Sequence, residues 1–114
     1  MAQRSPRGLL EMKLYIDTSD REKIIVGIDK KRFETIAYEE KSQKLLPFIV
    51  EVLKKEEKDI KDISEIEVNL GPGSFTGLRV GVSVAKALGW SLGVPVNGKD
   101  LKKDKQLDIK YGET

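Results

Sequence analysis

The part of the chain with a regular apolar pattern begins with three short segments that are rich in β-branched residues. They cover residues 13–19, 23–29 and 32–39, and β-branched side chains favour extended strands. The breaks between them, around Asp20 and Lys30, are short and polar, as in tight chain reversals. This order predicts a three-stranded antiparallel meander at the beginning of the fold.

Helical and strand patterns alternate after the meander. Apolar residues follow helical spacing over 43–57, with Ser42 as the expected N-cap and Pro47 as an expected point of bending or late start. A strand pattern follows over 65–70, then a helix over 76–92 and a last short strand over 94–97. The resulting order, βββαβαβ, predicts an α/β domain with a mixed sheet and helices covering a face.

Composition narrows the classes of function. The chain contains no Cys and no His, which excludes disulfides, thiol nucleophiles, imidazole acid–base chemistry and Cys/His metal sites. Residues 12–98 carry 14 basic and 14 acidic side chains, so nothing in this balance predicts the concentrated basic surface that nucleic acid requires. No apolar run reaches membrane-spanning length, and a cytoplasmic location without membrane contact is expected.

Three regions are expected along the chain. Residues 1–11 are polar and carry Pro and Gly, which is typical of a disordered leader. Residues 12–98 form the ordered domain. Residues 99–114 contain few apolar side chains and alternate Lys with Asp, which predicts a charged, flexible tail.

The glycine-rich segment 71–81 has two interpretations. It follows a strand and opens a helix, so free N–H groups there could hold a phosphate or carboxylate. The segment nevertheless lacks the Lys of a Walker loop and the dinucleotide-binding glycine spacing, and the other interpretation is a tight structural turn. The residues of the anion-site interpretation are Gly73, Ser74, Thr76 and Arg79.

Small residues recur every fourth position along the second predicted helix, at Gly77, Gly81, Ala85, Gly89 and Gly93. Glycine in a helix costs about 0.5–1 kcal/mol relative to alanine, so this small-residue ridge predicts a close approach to another element. That element is a second subunit, unless the ridge faces the chain's own core. The opposite apolar side of the helix is covered either by the first helix or by a second subunit. If the ridge is an interface, replacing Ala85 by Arg is expected to weaken assembly and leave the monomer folded.

The block GPGSFTGLRVGVSVAKALGWSLGVPV, with LYIDTSD before it and KSQKLLPFIVEVL between, resembles the TsaB (YeaZ) family over about residues 13–97. The resemblance implies an actin-like (ribonuclease-H-like) domain with a five-stranded sheet in the order 3-2-1-4-5. It also implies a non-catalytic scaffold in threonylcarbamoyladenosine modification of tRNA. The implied partners are a TsaD-like catalytic subunit, a TsaE-like ATPase and a second copy of the chain, with tRNA held mainly by the complex.

The resemblance implies a helical interface with the partner. The residues expected there lie on the two predicted helices: Leu46, Ile49, Val50, Leu53, Gly77, Leu78, Gly81, Val82, Ala85 and Gly89. No tightly bound cofactor is implied, although ATP or ADP at the partner interface is an expectation. Asp17 has two interpretations, a contact to metal or nucleotide phosphates as in actin-like ATPases, and a turn carboxylate that accepts local N–H groups.

The sequence departs from the family in two places. Lys41-Ser42 stands where relatives usually begin the first helix with His-Ser, and the second domain of the family has no counterpart after residue 98. Two other functions therefore remain as alternatives, a small nucleotide-binding domain and a self-associating remnant without a catalytic role.

Overall fold

The computed structural model describes residues 11–101. Its elements in chain order are β1 (Lys13–Asp17), β2 (Lys23–Ile28), β3 (Lys31–Ile36), α1 (Lys41–Lys55), a short 3₁₀ turn (Ile60–Asp62), β4 (Glu65–Val68) and α2 (Phe75–Leu92). The predicted leader over 1–11 and tail over 99–114 lie almost entirely outside the described residues. Leu101, at the end of the described range, is 5% exposed and packs in the core.

The four strands form one mixed sheet in the order β3-β2-β1-β4. β1 and β2 pair antiparallel, as do β2 and β3, whereas β1 and β4 pair parallel. The meander and the mixed sheet follow the prediction. Because β3 and β4 both run parallel to β1, they end at the same edge of the sheet, and α1 and α2 both begin there.

The predicted fifth strand over 94–97 is wrong. Val96 makes one isolated parallel bridge to Ile66 and one isolated antiparallel bridge to Lys99, and within residues 11–101 it joins no strand of the sheet. Asn97 and Gly98 have φ values of 51° and 78°, and the backbones of Val96 and Lys99 exchange two hydrogen bonds of 3.0 Å across them. This Asn-Gly turn reverses the chain before a strand can extend.

Both helices cover one face of the sheet. β1 alternates buried and half-buried residues, with Leu14 and Ile16 pointing toward the helices. The second face carries charged pairs such as Lys13 with Glu67 at 2.9 Å, together with the half-buried Ile25 and the exposed Ile36. The fold is therefore a two-layer α/β sandwich over the described range. Within that range, no helix combines the length and the apolar character that crossing a membrane requires.

The start of α1 differs from the prediction. Its N-cap is Glu40, whose side chain makes no capping hydrogen bond, and Ser42 lies inside the first turn. Pro47 lies inside the continuous helix Lys41–Lys55 and neither delays its start nor divides it. The earlier start brings Lys41 into the helix and turns its side chain inward, where it is buried.

Candidate functional site

The two sequence motifs singled out above, the end of β1 and the glycine-rich segment, meet at the edge of the sheet where α2 begins. The Thr18 hydroxyl donates a hydrogen bond to the carbonyl of Gly77. A Cβ on Gly77 would lie 2.1 Å from the Thr18 carbonyl oxygen, and one on Gly81 would lie 2.4 Å from Thr18 Oγ1. These glycines are therefore required for the close packing of α2 on the chain's own sheet.

Backbone donors at the head of α2 are largely used by this packing. The N–H of Ser74 donates to the Ser19 carbonyl at 2.8 Å, and the Gly77 N–H donates to Ser74 Oγ at 3.3 Å. The Ser74 carbonyl accepts from the Leu78 N–H at 2.9 Å. The Cζ atom of Arg79 lies 5.4 Å from the centroid of the Phe75 ring. The geometry supports the structural-turn interpretation, and an anion contact stays a prediction.

Asp17 closes a local turn. Its Oδ1 accepts the Ser19 N–H at 2.9 Å and the Ser19 hydroxyl at 2.6 Å, and its Oδ2 accepts the Tyr15 hydroxyl at 3.2 Å. Burial raises the pKa of Asp17, but the hydrogen bonds to its charged form outweigh burial, and the pKa lies below its usual value. This is the geometry of a turn carboxylate.

The hydrogen bond to Asp17 also affects Tyr15. Burial and the neighbouring Asp17 carboxylate raise the pKa of the Tyr15 hydroxyl to about 12. Because this value exceeds the ordinary pKa of 10.0, the neutral Tyr15 hydroxyl stabilises the folded state fully below pH 10, and this contribution is lost as the pH rises toward 12. We expect one tyrosine to ionise late in a spectrophotometric titration. Tyr15→Phe should remove that late component, and joint ionisation of all tyrosines at their ordinary pKa would contradict the expectation.

A cavity of about 490 Å³ opens between the heads of the two helices. Ser42 lines it from α1, and Thr76 and Val80 line it from α2. The exposed residues Arg21, Glu22, Tyr38 and Glu39 line it from the two loops before β2 and after β3, and we call them the cavity rim. Lys41, Ser74 and Gly77 complete the lining. Two predicted anion-site residues, Ser74 and Thr76, thus share one cavity, whereas the other three, Asp17, Gly73 and Arg79, do not line it.

Most of the predicted partner-interface residues lie inside the chain's own core. Eight are buried within the described fold, and two, Leu46 and Val50, are 45% and 40% exposed. The small-residue ridge from Gly77 to Gly89 faces the chain's own core, because added side chains at Gly81 and Gly89 would collide with Thr18 and Val96. Gly93, the last residue of the ridge, is exposed. The eight buried residues are Ile49, Leu53, Gly77, Leu78, Gly81, Val82, Ala85 and Gly89.

A different surface of the helix layer faces solvent. Ser42 and Val80 line the same cavity, so the two helices run side by side from it. Helical spacing places Leu46 and Val50 on the Ser42 side of α1, and Val84 and Ala87 on the Val80 side of α2. We call five aliphatic residues on these two sides the outward helix face. Three of them, Leu46, Val50 and Ala87, are exposed, and two, Val80 and Val84, are half-buried where they pack against the core.

Sequence reasoning missed three of the residues that shape this site. Thr18 and Lys41 are buried polar groups, and neither is among the predicted site residues. The third, Ala87, lies outside the every-fourth-residue spacing of the small-residue ridge. The available clue was that the valines between the ridge positions make α2 apolar on several sides.

Comparisons with known proteins extend these findings. The sequence profile of the family described as "TsaD: tRNA N6-adenosine threonylcarbamoyltransferase" matches residues 34–98, more than half of the chain. The TsaB protein of Bacillus subtilis (strain 168), named as a tRNA threonylcarbamoyladenosine biosynthesis protein, is 36% identical over 91 residues, covering 74% of this chain and 38% of that protein. A tRNA N6-adenosine threonylcarbamoyltransferase of Tropheryma whipplei (strain Twist) is 54% identical over 54 residues, which is 46% of this chain and 14% of that protein.

Among solved structures, YeaZ from Pseudomonas aeruginosa superposes with a TM-score of 0.65 at 25% sequence identity, covering 75% of this chain and 42% of that chain. The chain thus spans about two fifths of the length of the TsaB and YeaZ proteins it matches. The similarity lies in the helix layer as well as the sheet, because residues 34–98 contain α1, β4 and α2 complete.

Proposed function

The chain belongs to the TsaB (YeaZ) family, and from this membership we propose that it is a non-catalytic scaffold subunit in threonylcarbamoyladenosine modification of tRNA. In this role it binds a TsaD-like catalytic subunit and holds it in a competent arrangement. The domain is of the actin-like type, acts in the cytoplasm and leaves most of the grip on tRNA to its partners. A TsaE-like ATPase joins the same complex.

The observation that carries the proposal is the outward helix face. Its aliphatic residues lie on the two helices, both of which fall within residues 34–98, the segment that matches the TsaD family profile. Charged residues border it at Val50, where Glu51, Lys54 and Lys55 line the same surface depression. A solvent-facing apolar helix surface of this kind is typical of a helix–helix interface. Two related layers would bury such faces against each other, so a TsaD-like protein fits as the partner.

The chemistry of the side chains supports a non-catalytic role for this chain. It lacks His and Cys altogether, which removes the commonest general bases, thiol nucleophiles and zinc ligands. Asp17 is engaged by Ser19 and Tyr15 and serves the turn. The acyl-transfer chemistry is therefore assigned to the partner.

The cavity between the helix heads gives the proposal a nucleotide component. It adjoins the outward helix face through Val80, and Arg21 supplies a cation at its rim. ATP or ADP shared between this chain and its partner would lie there. Independent hydrolysis of ATP by the isolated chain is not part of the proposal.

Co-purification and reconstitution test the proposed function together. We expect this chain to co-purify with the TsaD-like protein of the same organism, and tRNA modification by the purified components to depend on adding it. The isolated chain should modify no tRNA, with a mock preparation as the control. Equal rates of modification with and without the chain would show that it is not a scaffold of this reaction.

A further inference from the structure

A lysine side chain is buried in the wall of the cavity at the helix heads. Lys41, the first residue of α1, is 4% exposed. Moving an ammonium group out of water is costly unless its N–H groups find acceptors. The burial of Lys41 therefore requires a specific set of partners.

Those partners are backbone carbonyls. The Lys41 ammonium donates to the carbonyl of Ala37 at 2.7 Å, to that of Arg21 at 2.9 Å and to that of Tyr38 at 3.3 Å. An ammonium has three N–H donors, so the three carbonyls saturate it. Among the residues that the structure describes, no carboxylate lies within ion-pair distance of Lys41.

The three carbonyls belong to two separate segments of the chain. Arg21 lies in the β1–β2 connection, and Ala37 and Tyr38 follow β3. Both segments line the cavity, with Arg21 and Tyr38 at its rim. One buried ammonium thus joins two loops to the head of α1. Burial lowers the pKa of Lys41, while the Asp20, Glu40 and Glu22 carboxylates act in the opposite direction.

We propose that the Lys41 ammonium is an internal cation that holds the cavity rim in the shape the partner binds, which makes Lys41 a positioning residue of the interface. This inference rests on the proposed function, because it takes the partner to bind the outward helix face and the adjoining rim. Ser42 and Val80 connect the two surfaces, since both line the cavity. Without the ammonium, three carbonyls lose their donor. The two loops stay joined by the Ala37 N–H, which donates to the Glu22 carbonyl at 2.9 Å, but both lose their attachment to the head of α1 through Lys41.

The test uses the full chain with Lys41→Ala and, as a matched control, Lys44→Ala. Lys44 lies one turn further along α1, is exposed, and donates to the Ile36 carbonyl at 3.2 Å. We expect Lys41→Ala to raise amide hydrogen exchange at residues 21–23 and 37–40 by about tenfold, with the exchange of α2 unchanged. Affinity for the TsaD-like subunit should fall by about tenfold or more, whereas Lys44→Ala should change both by less than about twofold.

Chemical rescue separates a specific ammonium site from general loss of structure. Alanine retains Cβ, so n-propylammonium has the atoms that Lys41→Ala removes. Added n-propylammonium should restore the exchange protection and the affinity, whereas n-propyltrimethylammonium, which has the charge but no N–H donor, should restore neither. If Lys41→Ala does not fold, the same pair of amines is applied to folding, with the same expectation.

Unchanged exchange and affinity in Lys41→Ala, or rescue by both amines alike, would overturn the proposal. A wild-type chain that binds no TsaD-like subunit would instead overturn the proposed function and with it the positioning role. In that case the exchange and rescue data still decide whether the ammonium holds the rim. The two failures are therefore distinguishable.

Discussion

Replacing Ala85 by Arg is expected to abolish the folded state of the isolated chain. Ala85 is 0% exposed and lies on the buried stripe of α2 between Gly81 and Gly89. The larger side chain has no room, because the flanking glycines already approach Thr18 and Val96. A buried guanidinium without a partner costs several kcal/mol, a large share of the roughly 5–15 kcal/mol that stabilises a domain of this size.

Circular dichroism during heating measures this effect directly. We expect Ala85→Arg to show no cooperative melting transition. Ala87→Arg is the matched control, since it places the same side chain two residues further along α2 at an exposed position and should change the free energy of unfolding by about 0.5 kcal/mol or less. A cooperative transition of Ala85→Arg at the wild-type temperature would mean that the small-residue ridge does not pack on the sheet.

The small-residue ridge shows what periodicity can and cannot specify. The spacing of Gly77, Gly81 and Ala85 predicts correctly that one side of the helix makes a close approach. It does not identify the neighbour, because the contact joins Thr18 and Gly77 across 59 positions of sequence. A local pattern contains no information about so distant a contact.

The four observed strands could be predicted from the sequence, whereas the fifth predicted strand was wrong. The meander and β4 follow from alternating β-branched residues, and their observed bounds lie close to the predicted ones. The prediction of a strand over 94–97 was wrong because Asn97-Gly98 forms a tight turn. Asn-Gly is a strong two-residue turn signal, so this part of the fold could have been predicted from the sequence.

The burial of Lys41, by contrast, could not be predicted from the sequence. A lysine next to a serine at a helix start is ordinarily solvated, and no sequence pattern distinguishes this one. Its burial depends on carbonyls from Arg21, Ala37 and Tyr38 converging at one point. Such convergence is a property of the assembled fold, since strand pairing must first bring the two loops together.

Placing a charge on the outward helix face is expected to abolish partner binding while the chain stays folded. Ala87 lies on a surface whose other members, Leu46, Val50, Val80 and Val84, carry no polar side-chain atoms. In the complex, Arg at position 87 would be desolvated without an acceptor. An unpaired charge in an interface costs about 2–5 kcal/mol, which corresponds to a loss of affinity of about 30-fold or more.

Arg79→Ala provides the comparison for Ala87→Arg, because Arg79 is also exposed on α2 but lies against Phe75, away from the outward helix face. We expect sedimentation with the TsaD-like subunit to detect a complex for Arg79→Ala and none for Ala87→Arg at equal concentrations. Reconstituted tRNA modification should follow the same order, since the scaffold acts only through assembly. If Arg79→Ala dissociates the complex and Ala87→Arg does not, the partner binds the Phe75 side of α2, and the outward helix face is not the interface.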